Sequence, residues 1–355
     1  MASAADIAKA MDALFGGNDE ESTVSTFLDT GYAPLNYACS AKWDGGLPVG
    51  RIVEIAGPPS SGKTAVATAA MGAAQRAGGI AGFMDHERSF SLRLAPRLGL
   101  DVTPGRFVFK KPRTFEESIT LCVRAAEHVR AKKLIAKDAP ICWVFDSLAS
   151  MVPMSALFDL KTGKEKSAED RSMHDNTALA RATSAHFPAF AQHCEELNIC
   201  AIFLNQIRMK LGVLYGNPQT TPGGESPKFY ASLRIMLGAQ QIKKGTDITG
   251  SHITAAIIKN KVSRPFVKAD WRFMFQPDGT GRFDVERSMV EFLEAQKLLP
   301  AASKKGFVEW NGKQIGKETL AREIETSGGM AELLKLLPAS YEPPKVEADE
   351  LEEAV

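Results

Sequence analysis

The residues best suited to chemistry stand together in GPPSSGKT, residues 57–64. Gly57, Gly62, Lys63 and Thr64 fill the pattern G-x-x-x-x-G-K-[ST], with Pro58, Pro59, Ser60 and Ser61 between the glycines. Glycines there let backbone N–H groups turn inward around phosphate oxygens, and a helix starting at Lys63 aims its positive dipole end at the same point. Lys63 then reaches the β- and γ-phosphates of a nucleoside triphosphate, and the Thr64 hydroxyl ligates Mg²⁺. The expected cofactors are ATP and Mg²⁺. The loop alone does not say what the nucleotide drives, since motors, switches, kinases and recombinases all use one.

Three more side chains sit where such a site needs them. Asp146 ends the apolar run ICWVFD, from which a carboxylate holds the magnesium shell opposite the loop; alone, an Asp closing a strand serves equally as a helix cap. Glu87, in FMDHERSF, follows the strand-like IAGFMD. A carboxylate at the C-terminal edge of a parallel strand points into the ligand crevice, where it can polarise the water that attacks the γ-phosphate. Its plain alternative is a solvated loop acid. Gln206, directly after ICAIFLN, is an uncharged amide at the same edge and can sense the γ-phosphate.

The elements that must position these residues follow from periodicity. RIVEIA alternates and feeds directly into the loop, and a helix from Lys63 to about Ala77 is stopped by Gly78 and Gly79. IAGFMD, ICWVFD and ICAIFLN read as buried strands separated by helices near 114–131 and 177–197. This alternation predicts an α/β fold with a mainly parallel central sheet between helices. ASLRIML, HITAAIIKNK and WRFMF are closely spaced strands, predicting an antiparallel extension of that sheet. The intervals 153–176 and 207–227 carry no element; loops this long in a compact domain are functional or disordered.

Residues 1–30 hold an amphipathic helix from Ala4 to Phe15, a polar linker and the apolar VSTFL. The core is expected over 31–281 and a small C-terminal α+β domain over 282–338. Residues 339–355 read as an acidic, disordered tail, because six acids there face one lysine. Its bland reading is solubility; the sharper one is a mobile polyanion that competes with another acidic polymer for a basic face formed by Lys304, Lys305, Lys313 and Lys317.

Across all 355 residues, 44% hydrophobic and 24% charged content describes a soluble globular protein, and a net charge of +1 neither suggests nor excludes a polyanionic partner. No apolar run approaches the roughly 20 residues that span a bilayer, and the N-terminus does not read as a secretion signal, so no membrane partner is expected. Five scattered cysteines predict buried reduced thiols and a cytoplasmic location. His193, Cys194 and Cys200 lack a paired C-x-x-C, so no structural zinc is expected.

Several stretches are more specific. GGLPVGRIVEIAGPPSSGKT, FMDHE, NICAIFLNQIRMKLGVLYGNPQTTPGG, KFYASLRI and IIKNKVSRPF together resemble the bacterial-type RecA recombinase family, with gaps, from about Leu47 to Gly316. The resemblance implies a RecA-like P-loop ATPase core with an N-terminal polymerisation arm. It also implies a DNA-dependent ATPase that forms homo-oligomeric filaments on single-stranded DNA, with ATP at subunit interfaces, and pairs that strand with homologous duplex DNA. By position, Lys63 and Thr64 match the phosphate-loop pair, Glu87 the catalytic carboxylate, Asp146 the Mg²⁺-associated aspartate, and Gln206 the glutamine that couples γ-phosphate to the second DNA loop. Lys259 and Lys261 match two lysines that a neighbouring subunit inserts toward the γ-phosphate, which makes sense of a site completed only on assembly. Phe229 and Arg234 match interface and core positions, and the N-terminal helix with VSTFL matches the arm that docks on the next protomer.

The loop 207–227 then reads as a DNA-binding element. Arg208 and Lys210 would meet phosphates, Gly212 and Gly216 allow close backbone approach, and Leu214 and Tyr215 pack against splayed bases, with Met209, Gly223 and Gly224 in the same stretch. The loop 153–176 would bring Arg181 from the base of its following helix, with Asn176 and Thr177 nearby. There are departures. Leu94 stands where the family has an aromatic that stacks on adenine, Ser91 replaces a nearby acid, and KTGKEKSAEDR is unlike the family's first DNA loop. Such drift fits a viral, UvsX-like branch as well as a bacterial one. Two other readings stay open: a hexameric helicase on the same core, and a filament or loader subunit that binds nucleotide without hydrolysis.

Overall fold

A computed structural model describes residues 3–15, 22–167, 177–209, 219–276, 278, 281–300 and 302–346. In chain order, α1 (Ala4–Phe15), β1 (Phe27–Leu28), α2 (Ala33–Ser40) and β2 (Leu47–Pro48) precede the strand that feeds the phosphate loop, β3 (Ile52–Ala56). Then come α3 (Lys63–Arg76), β4 (Ile80–Asp85), β5 (Phe107–Lys110), α4 (Phe115–Ala131), β6 (Ile141–Asp146), α5 (Met154–Leu157), α6 (Ala178–Glu196) and β7 (Ile199–Asn205). A short ribbon, β8 (Arg208–Met209) and β9 (Gln219–Thr220), and α7 (Ser226–Tyr230) lead into β10 (Leu233–Lys244), β11 (Asp247–Asn260), β12 (Val267–Phe275) and β13 (Gly281–Phe283). The C-terminal part holds α8 (Val285–Ala295), β14 (Phe307–Trp310), β15 (Lys313–Gly316), α9 (Lys317–Ser327) and α10 (Met330–Leu334).

The central sheet runs β13-β12-β11-β10-β3-β7-β6-β4-β5. From β10 to β5 neighbouring strands are parallel, and from β10 outward to β13 they are antiparallel, as the sequence pattern predicts. Side-chain alternation divides the core in two. Along β6, Cys142 and Val144 face the layer holding Val66 and Met71 of α3, while Ile141, Trp143 and Phe145 face the layer holding Ile119 of α4 and Phe187 and Phe190 of α6. Both faces are covered, which explains why these strands read as continuous apolar runs. The parallel arrangement also brings the ends of β3, β4, β6 and β7 to one edge, and with them the phosphate loop, Glu87, Asp146 and Gln206.

Some features were not legible beforehand. β5 and α2 lie in stretches for which periodicity gave no element. The two residues that end VSTFL pair within their own chain, Phe27 with Pro48 and Leu28 with Leu47. In the C-terminal elements, Val308, Leu320, Ile324 and Leu333 belong to the same apolar cluster as α3. Of the stretch read as an acidic tail, residues up to Val346 lie against the core. Lys268 N–H donates to Pro344 O at 2.8 Å and Val346 N–H to Phe266 O at 3.0 Å, and Tyr341 packs among Tyr37, Trp43 and Phe292. Residues 347–355 lie outside the described residues.

Candidate nucleotide and DNA site

The loop between β3 and α3 has the geometry its composition predicts. Gly62 stands at φ +83 with nothing within 4 Å of where a Cβ would be, so its side faces open space. Gly57 is different: a Cβ there would come within 2.7 Å of Leu237 O and 2.8 Å of Ser61 Oγ. One glycine supplies the left-handed turn and the other the close approach of two strands. Lys63 Nζ donates to Gly57 O at 2.9 Å and Pro58 O at 2.8 Å, so its cation lies along the loop. Burial lowers its pKa from the usual lysine range, against the opposing pull of Asp146 and Glu87. The Ser61 hydroxyl is buried with no partner among the described residues.

Beside the loop lies a cleft of about 450 Å³, lined by Ser61, Lys63, Thr64, Phe273, Phe275 and Gly281 among others. Sequence reading missed the two phenylalanines. They sit in a strand-like run far along the chain, and only the antiparallel extension brings β12 across to the loop. Leu94 is half-buried ahead of a short turn and does not line this cleft.

Carboxylates gather opposite the loop. Thr64 Oγ1 donates to Asp146 Oδ2 at 3.3 Å. Burial pushes the Asp146 carboxyl up to about 7, with Glu87 and Asp85 adding to the shift and the Thr64 hydroxyl and Lys63 opposing it. Asp85 has one oxygen buried without a partner among the described residues. The Thr64 hydroxyl and the Asp146 carboxylate are oxygen donors of the kind a hard divalent cation such as Mg²⁺ takes, while among the described residues no three acidic, histidine or cysteine side chains come together as a metal cluster.

Glu87 is held by several elements at once. Its Oε1 accepts from Ser147 Oγ, from Gln206 Nε2 at 2.9 Å and, more loosely, from Ser150 Oγ at 3.4 Å. Its backbone N–H donates to Asp146 O at 3.1 Å. The neighbouring His86 bonds Ser118 Oγ at 2.7 Å, and burial brings that imidazole down to about 4, so it is neutral at ordinary pH. The Glu87–Gln206 contact joins residues 119 positions apart and places them on one point in front of the loop. Ser147 carried no motif, although it directly follows Asp146.

The lysine pair lies at the end of β11, two strands from β3 in the sheet. Lys259 Nζ donates to Lys228 O and Phe229 O, both at 2.6 Å, and Lys261 Nζ donates to Phe229 O at 3.4 Å. Both ammonium groups also sit over the Phe229 ring, at 5.8 and 5.4 Å from its centroid. The ring itself is 66% exposed. Burial draws the Lys259 pKa down to about 8, with the charges of Lys261 and Arg234 adding and Glu54 opposing. Within this chain the pair does not approach the phosphate loop.

Among the residues expected to meet DNA, Thr177, Arg208, Gly223 and Gly224 line one cleft of about 530 Å³. Arg208 is exposed and pairs across the ribbon with Thr220, and Met209 pairs with Gln219 through its backbone. Gly223 and Gly224 adopt φ of +103 and +78, and the Gly223 carbonyl accepts from Thr183 Oγ1 of α6 at 2.7 Å. Arg181 is exposed on α6, where its guanidinium donates to Thr177 Oγ1 at 2.5 Å. Asn176, Lys210, Gly212, Leu214 and Tyr215 lie outside the described residues.

Comparison with known proteins agrees with this layout. The family profile of the RecA N-terminal domain matches residues 9–280. Over 249 residues the chain is 37% identical to the protein RecA of Chloroherpeton thalassium, covering 70% of this chain and 63% of that relative. The chain therefore spans somewhat less than two thirds of the curated relative's length. A phosphate loop feeding a mainly parallel sheet, the antiparallel extension beyond it and a profile match over most of the sequence lead to one conclusion: this chain belongs to the RecA family.

Proposed function

We propose that the chain is an ATP-dependent recombinase, a DNA-stimulated ATPase that assembles as a filament on single-stranded DNA and pairs it with homologous duplex. The observation that carries this reading is the bond from Gln206 to Glu87. Gln206 opens the loop expected to touch DNA, and Glu87 stands in front of the phosphate loop, so engagement of one surface is felt at the other.

The residues divide the work as follows. Backbone N–H groups of 57–64 and the N-terminus of α3 hold the phosphates, and Lys63 moves from the loop carbonyls to the β/γ oxygens when they arrive. Phe273 and Phe275 offer apolar ring surface to the base or sugar. Thr64 and Asp146 would hold Mg²⁺, which when bound would neutralise charge on the transferring phosphoryl group. Glu87 orients the attacking water and accepts its proton, while Gln206 keeps the carboxylate turned toward it. Lys259 and Lys261 serve a neighbouring copy, leaving the Phe229 carbonyl to reach that copy's γ-phosphate. Exposed apolar residues of α1, namely Ile7, Met11 and Leu14, give the arm a face with which to grip the next protomer.

ATP turnover measured with and without single-stranded DNA, followed by negative-stain imaging of the same mixture, tests the proposal. DNA should raise turnover and filaments should appear with ATP. Rings with directional unwinding would favour a helicase, and filaments without turnover a loader subunit.

A further inference from the structure

On the sheet face that carries α4 and α6, four polar side chains cross four adjacent strands: Asn205 on β7, Glu54 on β3, Arg234 on β10 and Lys259 on β11. Strand register makes the row. Glu54 is level with Arg234, Arg234 with Lys259, and Asn205 lies one same-face step beyond Glu54. Glu54 is only 2% exposed, in the middle of the central strand. Both its oxygens are used: Oε2 accepts from Arg234 Nε at 2.6 Å and Oε1 from Asn205 Nδ2 at 2.8 Å.

Burying this pair is expensive, and well-packed apolar residues would support the sheet equally well. A carboxylate does one thing that they cannot: it fixes which way the Asn205 amide faces. With Nδ2 turned to Glu54, the Asn205 carbonyl accepts from Gln206 N–H at 2.9 Å, and Nδ2 also donates to Pro222 O at 3.0 Å. These two bonds hold the beginning and the end of the second loop, and the first of them sets the residue that reaches Glu87.

We propose that Glu54 is a positioning residue: by orienting the Asn205 amide it seats Gln206 against Glu87 and fastens the second loop at Pro222. The inference rests on the reading of Glu87 and Gln206 as the hydrolytic pair, and its test is independent of that reading. Glu54→Gln keeps the volume and still accepts from Arg234. Its new amide faces Asn205, however, and turns that side chain over, presenting NH₂ to Gln206 N–H and a carbonyl to Pro222 O. Adding Asn205→Asp restores an acceptor for both the new amide and Gln206 N–H, while Pro222 O stays without a donor.

Hydrogen exchange on the full chain, beside thermal melting, reads these differences. In Glu54→Gln the amides of Gln206, Gly223 and Gly224 should exchange about tenfold faster, with β4 and β6 unchanged, as expected for local opening after loss of one or two bonds. The double variant should recover protection at Gln206 but not at the two glycines. If the wild type is DNA-stimulated, Glu54→Gln should lose about tenfold in kcat, matching one lost oriented contact, with KM for ATP little changed. Unchanged exchange at Gln206 overturns the proposal, and so does uniformly faster exchange across β3, β7 and β10, which would make the pair a support and nothing more. A wild type indifferent to DNA would sink the recombinase reading instead, leaving the exchange data to judge Glu54.

Discussion

The two ends of the site are built on opposite principles. At the phosphate loop, contacts close within one chain: Thr64 meets Asp146, Ser147 and Gln206 meet Glu87, and Lys63 rests on its own loop carbonyls. At the lysine end, two cations are parked on Phe229, whose ring stays largely exposed, and the partners of their ammonium groups among the described residues are the Lys228 and Phe229 carbonyls. The first end is preorganised and the second is provisional. On the reading proposed above, such a site would bind nucleotide as a single chain and gain its final cations by association, which would link assembly to turnover.

Changes at the preorganised end should have the largest effect. Glu87→Gln should leave ATP binding and filament formation intact while turnover falls by about 100-fold or more, as for a lost general base; normal hydrolysis would remove Glu87 from its role. Next, Lys259→Ala with Lys261→Ala should lower turnover by about 10- to 100-fold, in line with loss of preorganised cations at a charged transition state. Mixing these subunits with Lys63→Ala subunits should restore part of it, because each supplies what the other lacks. Failure of that complementation would place the lysines in a single-chain role and dissolve the contrast between the two ends.

A pH series sharpens the comparison further. Lys259 is protonated below about 8 and neutral above it, since burial and Lys261 lower its pKa. Turnover should therefore decline as pH rises through about 8, and Lys259→Arg, which stays charged, should flatten that decline. A profile unchanged by Lys259→Arg would separate the alkaline limb from this residue. The smallest effect is expected at the cleft wall: Phe275→Ala should raise KM for ATP by about tenfold or less with kcat nearly constant, the size of one lost stacking contact.

Much of this was readable in the residues. The phosphate loop, Asp146, Glu87 and Gln206 were found because each ends or follows a buried apolar run, and in a parallel sheet the ends of such runs meet at one edge. Phe273, Phe275 and Ser147 were not found, since packing, hydroxyl bonding and nucleotide contact leave the same trace in a strand or turn. Glu54 shows the limit most clearly: an acid inside RIVEIA interrupts an apolar pattern, yet nothing nearby in sequence names Arg234 or Asn205 as its partners.

The sequence alone determined the order of the main core strands and helices, the parallel core, the phosphate loop and the hydroxyl and carboxylates that stand beside it, because those depend on period, composition and short spacing. Only the tertiary structure decided that Gln206 turns to Glu87, that β12 brings phenylalanines to the cleft, and that residues near Tyr341 clasp the core. Those outcomes depend on which strands become neighbours and in what register, and register is set by packing between segments far apart in the chain.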